Sequence, residues 1–206
     1  MFGLHEEAAI LKFSLATKTK QPDQKIKSLK SCLRAHYLLD PVLAKDAALI
    51  QQQIQLLEVQ QPINQSDSEL AAKAKEAIQQ RKAQQQQQQQ SQESTPELKL
   101  SPEIELFAKF PRPSTLVGLP LLTSLSYCCT YHFWRPASFF GSPEFYRKTF
   151  GFSEKQYAWV ALKAHARQSR WEEIEKLLKP KSWFGKKKMD LDFRKVATLL
   201  AQQVGK

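Results

Sequence analysis

Cys128 and His132 stand four residues apart in a run that reads as helix, so both can share one face. A thiol and an imidazole at that spacing suit a nucleophile–base pair or half of a zinc site. Zinc needs three or four such ligands. The remaining histidines, His5, His36 and His165, and the remaining cysteines, Cys32 and Cys129, lack ligand spacing. A cysteine in so apolar a helix is ordinarily an inert core residue. The expectation is therefore packing, with no metal, no cofactor and no enzyme activity. Glu172, Glu173 and Glu175 form no acid–base pair; they fall in the first turns of a helix, where carboxylates complement the dipole. Neither the dinucleotide glycine fingerprint nor the phosphate-loop pattern occurs among the six glycines.

A second group is basic and aromatic. Lys176, Lys179, Lys181, Lys186, Lys187 and Lys188 surround Trp183-Phe184-Gly185 in a stretch free of acids. Such a stretch can stack on single-stranded nucleic acid, lie on anionic lipid, or meet an acidic protein face. It can equally be a solvated loop whose aromatics tuck into the core. The net charge of +11, from 31 Lys and Arg against 20 Asp and Glu, favours acidic partners without choosing among them.

The elements that position these residues are all helical. Over 1–63, apolar residues recur at helical spacing: Leu4, Ala8, Leu11 and Leu15, then Ile26, Leu29, Leu33 and Tyr37. A third helix opens at Asp40-Pro41 and carries Val42, Leu49, Ile50, Ile54 and Leu57. These three predict a small antiparallel bundle. From Pro62 the composition shifts. Ser66 to Glu69 reads as a capping box, Leu70 to Ala83 as a helix without burial, and Gln84 to Gln90 as a tract that cannot offset its ordering entropy. The span 64–115 is thus expected to be a charged, glutamine-rich, disordered linker.

A further domain is expected over 116–206. A buried helix spans about Pro120 to His132, and Ser142-Pro143 caps a short one. Ser153 and Gln156 have the spacing of a capping box, and Ser169 with Glu172 repeats it directly after the helix ends. Two capped helices joined so tightly predict a helical hairpin, like one unit of an α-solenoid. A last amphipathic helix starts near Asp192. The odd cysteine count makes a poor disulfide framework. Met1 to Lys12 lacks the pattern of a secretory signal, and no apolar stretch nears the ~18 residues of a membrane span. A reducing, cytoplasmic setting is expected.

The run Leu119 to His132, above all Tyr127-Cys128-Cys129 with Tyr131-His132, resembles a helix of the VIPAR, or spermatogenesis-defective thirty-nine, family. Lys148-Thr149-Phe150, Glu154-Lys155-Gln156, Ala161-Leu162, Trp171 and Lys181 to Gly185 extend the likeness in order. The hairpin from Tyr157 to Leu178 is also similar to the C-terminal region of the vacuolar sorting subunit of class C tethering complexes. The resemblance implies a non-enzymatic helical subunit that binds a Sec1/Munc18-like protein in endosomal and lysosomal trafficking. It would work in the cytoplasm, peripherally on late endosomes, lysosomes or recycling endosomes. Family members continue through further C-terminal helices beyond the position of Lys206. The expected contact residues are Trp171, Ile174, Lys179, Trp183 and Phe184. A basic module for nucleic acid or anionic lipid is the alternative.

Overall fold

A computed structural model describes residues 3–88, 101–110, 112–178 and 192–204. Among them all regular structure is helical, as the periodicity predicts. The chain divides into two compact units, Met1–Leu119 and Pro120–Lys206.

In the first unit, α1 (Gly3–Lys18) and α2 (Pro22–Cys32) pack together, and α3 (Ala44–Gln88) packs on α2. Leu29 is fully buried between them, with Ile26, Cys32, Leu33 and Tyr37 on its side and Ile50, Ile54 and Leu57 on α3. The expected face of α1 is displaced. Ala9 and Ala16 are buried, whereas Ile10, Leu11 and Leu15 face solvent. The alanines let α1 approach so closely that the Cys32 thiol reaches the Ala9 carbonyl at 3.9 Å. After α2 the chain widens into a π-helical turn, Leu33–Tyr37, closed by Leu38 N–H on the Leu33 carbonyl at 3.0 Å. Asp40 then caps as expected, its carboxylate accepting from Val42 N–H at 2.9 Å, but over a 3-10 turn (Pro41–Leu43) that leads into α3.

The helix does not stop at Pro62. It runs through that proline and through Ser66, so no capping box forms there. A proline inside a helix costs about 3 kcal/mol. Burial of Val59 and Ile63 on either side, worth roughly 1.5–3 kcal/mol each, offsets it. Polar contacts add to this. Gln60 is fully buried, yet its amide donates to the Leu119 carbonyl at 2.9 Å and accepts from Gly118 N–H at 2.8 Å. One turn on, the Asn64 side-chain oxygen accepts from Leu116 N–H at 2.8 Å and from the Arg112 guanidinium at 2.5 Å. Both ends of Pro62 are thus tied to the returning segment 112–119.

Leu70 to Ala83 is helical as expected, but it is packed on one side. Ala74 and Ala77 are buried, and this part of α3 packs on α4 (Pro102–Lys109), whose Phe107 is buried. The helix continues into the glutamine run as far as Gln88, since glutamine is among the better helix formers. The rest of the expected linker, 89–100, lies outside the described residues.

The second unit comprises α5 (Leu121–Tyr131), α6 (Pro143–Thr149), α7 (Glu154–Arg167), α8 (Trp171–Leu178) and α9 (Phe193–Val204). Helix α7 is its hub, packing against α5, α8 and α9. Its Ala158, Leu162 and Ala166 are buried with Ile174 of α8 and Val196 of α9. The Ser153 capping box forms as expected: the hydroxyl accepts from Gln156 N–H at 3.2 Å, and the Gln156 amide accepts from Ser153 N–H at 3.0 Å. Ser142 caps α6, accepting from Phe145 N–H at 3.1 Å.

Candidate functional site

The second expected capping box is replaced by a helix stop. Ser169 is left-handed, with φ 55°, rather than extended as an N-cap must be. Arg170 N–H reaches back to the His165 carbonyl at 3.0 Å, and Ser169 N–H to the Ala166 carbonyl at 3.1 Å. This is the Schellman pattern, which ends α7 and turns the chain directly into α8. The sequence cue was misread because Ser-x-x-Glu fits either reading, and a left-handed serine has no distinct signature.

That turn aims Arg170 at the end of α5. Its guanidinium donates to the Thr130 carbonyl at 2.9 Å and the Cys129 carbonyl at 3.4 Å. These carbonyls close the last turn of α5, where a cation also complements the helix dipole. The same guanidinium lies 3.8 Å from the centre of the Phe133 ring. The His165 ring meets Phe133 edge-on at 5.5 Å, and Trp134 meets it perpendicular at 4.9 Å. Arg170 therefore holds the α7–α8 turn against α5 through two hydrogen bonds and one aromatic face. Burial pulls its pKa down to about 10, which leaves it cationic at neutral pH.

The clamp fixes what α8 presents. Ile174 is 3% exposed and belongs to the core, so it supports the helix from beneath and offers no contact surface. Trp171, the residue after the clamp, is 44% exposed, and Trp134, beside Phe133, is 42% exposed. Lys179, Trp183 and Phe184 lie outside the described residues. Glu173 pairs with Lys176 on the solvent side of α8.

Cys128 and His132 are both buried. Cys128 is fully buried beside the phenol of Tyr146, whose pKa is pushed up by burial and by that thiol. The His132 ring instead packs against Tyr127 and Phe139. Burial raises the Cys129 thiol to about 12, although the charge of Arg170 pulls it back, so it carries no thiolate at neutral pH. Among the described residues, no three His, Cys, Asp or Glu side chains gather as metal ligands.

The described residues define an all-helical protein. Comparison with curated proteins then gives the particular relatives. The chain is 30% identical over 200 residues to the zebrafish (Danio rerio) spermatogenesis-defective protein 39 homolog, covering 96% of this chain and 34% of that protein. It is 28% identical over 197 residues to the rat (Rattus norvegicus) homolog, covering 95% and 36%. A segment of 78 residues, 38% of this chain and 15% of the relative, is 37% identical to spermatogenesis-defective protein 39 of Caenorhabditis elegans. The family resemblance read in the sequence is thus matched by homologues of that name over most of the chain. The chain spans about a third of the length of the curated vertebrate relatives it matches. No family model matches, and no solved structure matches.

Two predictions follow from the clamp. Arg170→Ala removes two charge-assisted hydrogen bonds and the aromatic contact, and should cost about 3 kcal/mol in urea unfolding. Arg170→Lys should recover less than half of that, since an ammonium cannot fork across two carbonyls while lying on a ring. His165 is buried, its Nδ1 has no hydrogen-bond partner, and burial followed by the charge of Arg170 lowers its pKa from 6.5 to about 4. The unfolded chain therefore binds the extra proton between these values, and stability falls as pH drops through that window. The loss should reach about 3 kcal/mol, and His165→Leu should remove that part of the pH dependence.

Proposed function

We propose that this chain is a non-enzymatic subunit of an endosomal and lysosomal vesicle-tethering assembly, and that it holds a Sec1/Munc18-like protein through helical faces of its second unit. The observation that carries this reading is the alignment, over nearly the whole chain, with relatives named spermatogenesis-defective protein 39 homolog. The helical hairpin supports it, because Arg170 and Ile174 anchor the start of α8 while Trp171 beside them stays 44% exposed. A large aromatic set on a rigid helix is the kind of anchor on which protein interfaces concentrate their energy. Lys179, Trp183 and Phe184 continue the same stretch of sequence, and their lysine neighbours would steer an acidic partner face. Among the described residues no helix is long and apolar enough to cross a membrane. Attachment to late endosomes, lysosomes or recycling endosomes would then come through the partner.

The test is co-purification with the Sec1/Munc18-like protein of the same cell, comparing wild type with Trp171→Ala and with the double variant Trp183→Ala, Phe184→Ala. Wild type should hold the partner. Each variant should weaken the complex by about tenfold or more while keeping its helical circular dichroism. A well-folded wild-type chain that fails to bind would contradict the reading. Oligonucleotide binding that falls steeply with salt would favour the nucleic-acid alternative.

A further inference from the structure

Helices α1 and α3 both pack on α2 and on the π-helical turn, but touch one another little. The gap between them is a cavity of about 490 Å³. Phe13 and Tyr37 line it, their rings edge to face at 6.4 Å. Ile10 on one wall and Val42 and Leu49 on the other are 64%, 76% and 64% exposed. Leu11 and Leu15 are also exposed, but they lie on the other side of α1, away from the cavity. A helix apolar on both sides is normally covered on both sides. The two charged residues lining the cavity, Glu6 and Asp46, are both acids, in a chain whose net charge is +11.

We propose that this groove is a docking site for an amphipathic helix of a partner protein, one with large aliphatic side chains on its apolar face and lysine or arginine along its edge. A helix suits the groove better than a compact ligand, because α1 walls it on one side and the start of α3 on the other, with exposed aliphatic side chains on both. Helix-in-groove recognition uses aliphatic anchors set into an apolar groove, and Ile10, Val42 and Leu49 supply exposed aliphatic surface on the two walls. Charge decides between a partner and a second copy of this chain. A two-fold contact would lay this patch against a copy of itself, with acids on both sides and no basic residue lining either. A basic helix meets those acids with opposite charge. Tyr37, the last residue of the π-helical turn, lines the cavity together with residues of both walls. This groove lies in the first unit and does not rest on the partner proposed for the second.

The probe is a fluorescent helical peptide of about 18 residues made of leucine and lysine, beside one with the same leucines and glutamate in place of lysine. Anisotropy with the full chain at physiological salt should show saturable binding of the lysine peptide. The glutamate peptide should bind about tenfold more weakly, although the overall charge of the chain attracts it. Ile10→Asp with Leu49→Asp should abolish binding, and Glu6→Lys with Asp46→Lys should reverse the preference. All four positions are exposed, and unchanged circular dichroism would confirm that the variants fold. Equal binding of both peptides, or no effect of the charge reversal, overturns the proposal. So does a wild-type dimer in sedimentation that Leu49→Asp returns to monomer, which would give the groove to a second copy.

Discussion

The second unit depends on one cation placed where water is scarce. Arg170 sits over the Phe133 ring and against the last carbonyls of α5, so three separate chain segments meet at one guanidinium. A charge is costly to bury unless its hydrogen bonds are supplied, and here two carbonyls supply them. The arrangement is directional. A guanidinium is planar and forked, so it fixes both the distance and the angle at which the α7–α8 turn meets α5. Ser169 accepts a left-handed backbone to make the approach, at a cost of about 1–2 kcal/mol that the contacts of Arg170 and Ile174 offset. The result is a short α8 anchored at its start by Arg170 and Ile174, with Trp171 beside them half exposed.

The first unit solves a different problem by similar means. A proline in the middle of a long helix would normally end it. Gln60 and Asn64 stand two residues to either side of Pro62 and spend their amides on the segment that returns over α3. The buried Gln60 is satisfied at both ends of its side chain, so it costs little and specifies the register of the loop. The helix that survives provides one surface for α4 and another for α2. The wall it turns toward α1 is left uncovered.

Much of this was legible in the residues. Pro120 to His132, the Ser142 cap and the Ser153 capping box were each readable, because apolar runs and side-chain caps act locally. The burial of Cys128 followed from the apolar character of its helix. What escaped depended on distant partners. Pro62 read as an end because its compensation comes from Leu116 to Leu119, more than fifty residues away. The face of α1 was misjudged because large aliphatics signal burial more strongly than Ala9 and Ala16, yet close approach to α2 selects the alanines. Ser169 looked like an N-cap because only the position of Arg170 shows that it ends the preceding helix. The helix Pro102–Lys109 falls within the expected linker, and it is stabilised by α3, which local pattern does not reveal.

The central claim is that α8, held by Arg170, presents its outer side to the partner. Hydrogen–deuterium exchange of the full chain, alone and with the Sec1/Munc18-like protein, tests it most directly. The account predicts slowed exchange over Trp171–Leu178 in the complex, with exchange over α1 and α2 unchanged. Slowed exchange confined to the first unit, with α8 exchanging as it does in the free chain, would contradict it.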